Sequence, residues 1–304
     1  MQVTTKRLAG LLSASALALG LIAIATPASA GIANTKHNLS SSTRTGTGIG
    51  DIYDTNQDQI CVFCHTPHGA NAAVSAPIWN KKLPGNTYTV YTSGTMDGNT
   101  SAGPTAVSLA CLSCHDGTQA MDNMINAPGS SGYDVNGQNG TTGTAINAYG
   151  ANAFSQGDSW ASAGGAGGSA QTNGDLSAGN AMNGNGISPA TGAGVFMLGT
   201  DLSNDHPIGM NYAGCTSGGN VTTLAGACDA DFHPATQGSN GNGVAKFYVG
   251  ADPVMKNNMR LYGTVATAAT VECASCHDPH SDVNPTFLRR DNAGSAVCLT
   301  CHNK

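Results

Sequence analysis

Large apolar residues are spread unevenly along this chain, and only one stretch is continuously apolar. That stretch, Leu8–Ala25, follows a basic pair and precedes the small residues Ala28–Ala30. The pattern predicts a cleaved secretory signal peptide over residues 1–30. No later segment reaches the roughly 18 apolar residues that a transmembrane helix needs. We therefore expect an exported mature chain that begins near Gly31 and has no transmembrane segment.

Beyond that stretch the hydrophobic pattern predicts little regular secondary structure. Two short β-like runs occur at Thr87–Tyr91 and Lys246–Val249, and short helices are expected around four cysteine-rich motifs. From Pro128 to about Gly194 the chain is mainly Gly, Asn, Ser, Ala and Thr, which cannot form a packed core alone. We interpret this stretch as a flexible surface insertion; the alternative is an ordered loop packed on a cofactor or a partner chain. The predicted fold class is mostly coil, with short helices and few short strands.

The amino-acid composition limits which kinds of core and of binding partner the protein can have. Only 10% of the 304 residues are charged, 5% are aromatic, 41 are glycine, and the net charge is −6. A chain of this length normally buries a large apolar core, yet large apolar residues are scarce after the leader. No basic run is present, which argues against a nucleic-acid partner. We expect something other than side chains to supply the core.

Eight of the ten cysteines fall in four copies of one motif, C-x-x-C-H. This spacing is the attachment signature of c-type haem. The two thiols add to the vinyl groups of one porphyrin, and the adjacent histidine becomes the proximal iron ligand. Zinc sites and disulfides also use C-x-x-C pairs, but four copies with a following histidine favour haem. The motifs predict four covalently bound haem c groups and a haem-cored fold. The attachment cysteines are Cys61, Cys64, Cys111, Cys114, Cys273, Cys276, Cys298 and Cys301, and the proximal ligands are His65, His115, His277 and His302.

Two cysteines, Cys215 and Cys228, lie outside the motifs and have no histidine after them. In an exported protein an even leftover pair is expected to form a disulfide. Two free thiols are the alternative.

Four irons need four further ligands, and five histidines remain outside the motifs. Methionine ligands are possible, but this number favours histidine on both sides of each iron. His68 and His280 each follow a proximal histidine by three residues, with a proline between them. Because three residues reach at most about 10 Å, each is expected to bind the iron of a neighbouring haem rather than its own. We predict that the distal ligands are His37, His68, His206 and His280, with His233 in reserve.

The motifs form two similar pairs. In each pair, the first motif is followed by Pro-His and the second has leucine after its first cysteine. We interpret this as a two-haem module used twice. The predicted organisation is a signal peptide at 1–30, a first module with an N-terminal arm at 31–127, a Gly/Asn/Ser-rich middle segment with the disulfide at 128–270, and a second module at 271–304.

Several segments carry a family resemblance. The stretches TKHNLS, ICVFCHTPHGA, VSLACLSCHDG, LGTDLSNDHPIG, VECASCHDPH and CLTCHNK resemble the tetrahaem c-type cytochromes of metal-reducing bacteria, and among them the extracellular cytochrome filament family of OmcE-type nanowires. The resemblance covers residues 36–125, 195–212 and 271–304. It implies low-spin bis-histidine haems in a continuous stack. It also implies a homopolymer in which one distal histidine comes from the neighbouring subunit, with His37 in the N-terminal arm as the expected donor.

These observations favour an electron carrier over an enzyme. The expected form is an extracellular filament that delivers respiratory electrons to external acceptors or other multihaem cytochromes. The alternative is a monomeric periplasmic shuttle, which would more often carry a charged docking patch. A multihaem reductase is a third possibility. It needs one haem with an open iron position, and five spare histidines for four irons argue against it.

Overall fold

The computed structural model divides the chain into two compact units, Met1–Gly31 and Ile32–Lys304. The predicted signal peptide and most of the Gly-rich stretch lie outside the described residues. Within the described ranges no helix is long and apolar enough to cross a membrane. The structure describes residues 31–40, 58–74, 76–96, 103–116, 124–126, 181–182, 195–196, 198–215, 219–226, 228–239, 245–253, 255–263, 265–266 and 268–303.

Regular elements in the described chain are short, which confirms the predicted coil-rich fold class. The α-helices are α1 (Ala106–His115), α2 (Cys273–Cys276) and α3 (Cys298–Cys301). The strands are β1 (Thr89–Val90), β2 (Ala181–Met182), β3 (Val195–Phe196), β4 (Asp201–Leu202), β5 (Met210–Asn211), β6 (Thr236–Ser239), β7 (Ala245–Val249), β8 (Met259–Leu261) and β9 (Thr270–Val271). Single turns of 3-10 helix occur at Gly31–Asn34, Ile60–Phe63, Tyr212–Gly214, Met255–Asn257, Pro285–Phe287 and Ala293–Ser295.

The strands pair into small sheets. Strands β1 and β4 pair in parallel, as do β2 and β3, whereas β5 and β9 are antiparallel. Strands β6, β7 and β8 form an antiparallel meander. Of the two predicted β-like runs, Lys246–Val249 lies within β7, while Thr87–Tyr91 pairs only over the two residues of β1. The strands hold distant segments together rather than building a continuous sheet.

One face of the meander forms an apolar core. Phe247, Val249, Met259 and Leu261 alternate with more exposed residues and are buried, as period-two strands with one covered face require. Tyr212 and several small residues complete the cluster. This part of the chain therefore has a small side-chain core, and a core supplied by haem elsewhere stays a prediction. The apolar residues come from several short segments, so no single window of sequence is rich enough to reveal them.

The disulfide predicted between Cys215 and Cys228 is confirmed. Cys215 is buried in the apolar cluster, directly after the turn that contains Tyr212. The bond closes a short loop that leads from β5 towards the meander. It thus restrains a part of the chain with little secondary structure of its own.

We expect the double variant Cys215→Ser, Cys228→Ser to lose about 3 kcal/mol of unfolding free energy, because the bond restricts the unfolded chain by closing a loop of this length. Urea unfolding followed by circular dichroism measures the loss. Reductant should shift the midpoint of the wild-type protein by a similar amount and leave the double variant unchanged. Equal midpoints for variant and wild type would contradict this role.

Candidate cofactor-binding site

Each C-x-x-C-H motif forms one helical turn that ends at its histidine. The histidine N–H donates to the carbonyl of the first cysteine in three motifs, at 2.8 to 3.1 Å, and the remaining motif closes helix α1. Residues three apart lie on the same side of such a turn, so both thiols face one way. All eight thiols are free of disulfides. We number the motifs in chain order: first signature (Cys61–His65), second (Cys111–His115), third (Cys273–His277) and fourth (Cys298–His302).

The four signatures are neighbours in the order in which they occur along the chain. Burial raises the pKa of Cys64 to about 12, and Cys114 of the second signature adds to the rise. A hydrogen bond to Cys273 of the third signature, together with burial, raises the pKa of Cys111. Burial raises the pKa of Cys301 to about 12, and a thiol of the third signature contributes. Thiols of signatures that follow one another along the chain are therefore close enough to interact.

A short antiparallel bridge fixes the histidine of the first signature. His65 pairs with Trp79. On one side the Thr66 N–H donates to the Ile78 carbonyl at 2.9 Å, and on the other the Asn80 N–H donates to the Cys64 carbonyl at 2.8 Å. We call this pair of hydrogen bonds around a signature histidine the histidine clamp. It holds the backbone of the histidine in an extended conformation just after the helical turn.

The third signature has the same clamp. His277 pairs with Leu288. The Asp278 N–H donates to the Phe287 carbonyl at 2.7 Å, and the Arg289 N–H donates to the carbonyl of the second cysteine at 2.9 Å. The donors and acceptors match those of the first signature position by position. The duplication of a two-haem module stays a prediction, because the fourth signature shows the same pattern of bonds.

The fourth signature is clamped by an earlier part of the chain. His302 pairs with Phe232. The Asn303 N–H donates to the Asp231 carbonyl at 2.7 Å, and the His233 N–H donates to the Cys301 carbonyl at 2.9 Å. In the second signature, the carbonyl of the histidine itself accepts a hydrogen bond, from the Leu198 N–H at 2.7 Å. Three of the four signatures therefore share one backbone support.

A side chain strengthens the clamp in two signatures. Asn80 Nδ2 donates to the Val62 carbonyl at 2.7 Å, and Arg289 Nε donates to the Ala274 carbonyl at 3.0 Å. Each accepting carbonyl lies between the two cysteines of its signature. Asn80 is fully buried and also exchanges hydrogen bonds with Asn126. The corresponding position in the fourth clamp is His233, so the structure places the reserve ligand of the sequence analysis beside the fourth signature.

Two signature histidines are oriented to bind a metal. His65 Nδ1 lies 2.8 Å from the Pro77 carbonyl, and His277 Nδ1 lies 2.7 Å from the Thr286 carbonyl. Because a carbonyl oxygen can only accept, each Nδ1 carries the hydrogen, and the Nε2 lone pair is left for a ligand bond. A hydrogen bond of this kind fixes the tautomer and the ring orientation of a metal-bound histidine.

Two pairs of histidine rings have the spacing of axial ligands. The ring centroids of His65 and His280 are 6.1 Å apart with nearly parallel planes at 16°. Those of His37 and His115 are also 6.1 Å apart, with planes at 80°. Two imidazoles on opposite sides of one metal ion, each bonded at about 2 Å, have centroids roughly 6 Å apart. Each pair therefore joins a proximal histidine to a predicted distal one, and His280 faces a signature other than its own.

The His37 ring is buried against other residues of its own chain. Burial lowers the pKa of His37 to about 4, with a further contribution from His115, so the ring is neutral at neutral pH, as a ligand must be. It also stacks on Phe287 with centroids 4.4 Å apart. The resemblance implied that His37 reaches a neighbouring subunit. In this single chain the His37 ring packs against His115, and donation of His37 to a neighbouring subunit stays a prediction.

The other three predicted ligands have no such partner here. His68 and His206 are exposed, and His233 is half-buried beside the fourth signature. Among the described residues no ring contact joins any of these three to another histidine. Their assignment to particular irons stays a prediction.

Orphaned polar atoms show that the residues fit a haem. In the described chain, three buried side-chain nitrogens lack a hydrogen-bond partner: His37 Nδ1, Trp79 Nε1 and Arg260 Nε. His37 lies against His115, and the Trp79 ring meets the His65 ring edge-on at 6.0 Å. Arg260 lies over the Tyr262 ring, whose hydroxyl donates to the Ala274 carbonyl. Buried polar groups are normally satisfied, and the carboxylates of a haem would supply hydrogen-bond acceptors of the kind that the Trp79 and Arg260 nitrogens lack.

Glu272 is not among the functional residues predicted from the sequence. It is the only glutamate in the chain, it directly precedes the third signature, and it is 1% exposed. A single glutamate next to a cofactor motif was a visible signal. Its partner, Ser108, gave no comparable signal, because the contact joins two segments far apart in sequence.

We expect Asn80→Ala to cost about 3 kcal/mol of unfolding free energy, since three buried hydrogen bonds are lost at roughly 1 kcal/mol each. Urea unfolding of the purified protein measures this. The control is Asn34→Ala at an exposed position, which should change the midpoint little. Equal effects of the two substitutions would show that Asn80 does not support the first signature.

Comparison with known families adds one match. Residues 266–304, which contain the third and fourth signatures, match the family described as Doubled CXXCH motif (Paired_CXXCH_1). No curated protein matches the chain in a sequence search. The doubled motif indicates a multihaem c-type cytochrome with covalently bound haem c, and so a role in electron transfer.

Proposed function

We propose that the chain is a tetrahaem c-type cytochrome that carries electrons along a row of four haems, and that it is not an enzyme. One observation carries the proposal: the four signatures are neighbours in chain order. Ser108 of helix α1, which carries the second signature, accepts the N–H of Cys273 of the third at 3.1 Å. Attachment sites this close keep successive cofactors within short range of one another.

Haem c would supply one-electron exchange between ferric and ferrous iron, with no bond made or broken in a substrate. The chain's own residues hold the group and set its surroundings. The cysteines of the signatures attach it, and the clamps fix the proximal histidines. The hydrogen bonds at His65 Nδ1 and His277 Nδ1 keep the Nε2 atoms available for ligation.

We assign His65 and His280 to the haem of the first signature, and His115 and His37 to that of the second. The ring separations of 6.1 Å support both assignments. For the third and fourth haems we keep His277 and His302 as proximal ligands. His68 and His206 are their predicted distal ligands, with His233 in reserve. With histidine on both sides, no iron keeps an open position for a substrate, which favours a carrier over a reductase.

We further propose that copies of the chain polymerise into an extracellular filament. The exported leader, the low content of charged residues and the family resemblance support this. His68 and His206 are exposed, and an exposed histidine can reach the iron of a second copy. We propose these two as candidates for the ligand shared between subunits, beside His37, the donor that the resemblance implies. The alternative remains a monomeric periplasmic shuttle.

The two histidine pairs predict two kinds of electron paramagnetic resonance signal in the oxidised protein. Nearly parallel imidazole planes give a rhombic low-spin ferric signal, and nearly perpendicular planes give a signal with a very large principal g value. We expect His280→Met to remove one rhombic signal, because its ring is 16° from His65. We expect His37→Met to remove one large-g signal, because its ring is 80° from His115.

Each substitution is the matched control for the other, and the number of attached haems should stay the same in both. His206→Met should leave both signals intact. Loss of the same signal in the His280 and His37 variants would contradict the assignment.

Electron microscopy of material sheared from cells tests the assembly. We expect ordered filaments built from this chain, and reduced filament length in His68→Met or His206→Met, whichever histidine is shared between copies. Filaments in wild type but not in the variant, with full haem content in both, would identify the shared ligand. Only monomers at high concentration would remove the filament and leave the periplasmic shuttle.

A further inference from the structure

The second and third signatures meet at one buried carboxylate. Glu272 directly precedes helix α2, which carries Cys273 and Cys276, and its side chain reaches the start of helix α1, which carries the second signature. It is 1% exposed. A buried acid is costly unless it is hydrogen-bonded, so its surroundings are informative.

The hydrogen bonds around Glu272 are arranged for a carboxylate. Ser108 Oγ accepts the Cys273 N–H at 3.1 Å, so the hydroxyl hydrogen of Ser108 is free to be donated to Glu272 Oε2. The Thr105 N–H also points to Oε2, at 3.4 Å. Thr270 Oγ1 lies 3.0 Å from Oε1. Both partners of Oε2 are donors, and the first turn of α1 favours a negative charge nearby.

The network joins the two helices at the point where their thiols meet. Ser108 lies one turn before Cys111 on α1, and Cys111 and Cys273 share a hydrogen bond. The hydrogen bond to Cys111 lowers the pKa of Cys273, and the negative charge of Glu272 opposes this shift. The carboxylate lies beside a haem attachment site, because Glu272 directly precedes Cys273 and Ser108 contacts both residues.

We propose that Glu272 is a positioning residue that holds the second and third signatures together and lowers the reduction potentials of the two haems attached there. The inference rests on the proposed function. A ferric haem carries one more positive charge than a ferrous one, so a nearby anion favours the ferric state. Burial strengthens this effect, because the effective dielectric constant inside a protein is low. The step is the transfer of one electron from a chemical reductant to ferric iron, and it involves no proton.

Glu272→Gln keeps the shape of the side chain and removes its charge. In an anaerobic reductive titration followed by haem absorbance, we expect two of the four reduction steps to move to higher potential and the other two to stay. The control is Asp282→Asn, which removes one carboxylate from an exposed position in the same part of the chain. Its effect should be small, since water screens exposed charges.

The variant Ser108→Ala distinguishes the effect of the Glu272 charge from the effect of packing around it. It removes the hydroxyl that stabilises the carboxylate but leaves the charge. We expect a lower unfolding midpoint and the same two steps shifted to lower potential, opposite in direction to Glu272→Gln. If the Glu272→Gln protein does not accumulate with its haems, the test rests on Ser108→Ala. Reduction potentials in that variant that equal or exceed those of wild type would overturn the proposal.

Titrations of Glu272→Gln that coincide with those of wild type or of Asp282→Asn would also overturn it. The proposed function is checked separately, by the number of haems attached to wild type in mass spectrometry. Fewer than four haems there would refute the tetrahaem cytochrome itself. Four haems with no shift in Glu272→Gln would refute only the role of Glu272.

Discussion

The histidine clamp is the interaction on which the arrangement of this protein depends. Two backbone hydrogen bonds on either side of a signature histidine turn a loose C-x-x-C-H segment into a fixed support, and three signatures use it. Backbone bonds suit this purpose, because the chain has few large side chains with which to build supports. The side chains that recur at the clamp act on the same backbone: Asn80 and Arg289 both bind the carbonyl between two cysteines. Rigidity is thus concentrated at the cofactor attachments.

The sequence predicted the features that depend on neighbouring residues or on the number of residues of one type. The C-x-x-C-H spacing, the coil-rich fold class and the disulfide of the leftover cysteines all follow from neighbouring residues or from simple counts. The clamp partners Trp79, Leu288 and Phe232 could not be found in this way, because each makes an isolated bridge with no periodic pattern around it. The reach of three residues excludes His280 from its own haem, but tertiary structure was needed to bring it beside His65.

The protein also combines two kinds of core. The meander of β6, β7 and β8 buries a side-chain cluster around Phe247, and the disulfide anchors the adjacent loop. This cluster packs against Cys276 of the third signature, Cys301 of the fourth, and Val297, which directly precedes the fourth. The middle of the chain therefore contributes directly to the support of the C-terminal signatures. A linker between two haem modules would not need such packing, so this part is better described as a scaffold.

The clamps differ in the sequence separation between the histidine and its bridge partner. Trp79 and Leu288 follow their histidines closely, so the first and third clamps can form from a short segment alone. The fourth clamp joins His302 to Phe232, across the meander and the third signature. Long loops close more slowly than short ones, and they close only after the intervening structure has formed. The fourth clamp therefore depends on two segments that lie far apart in the chain, whereas the first and third clamps each depend on one short segment.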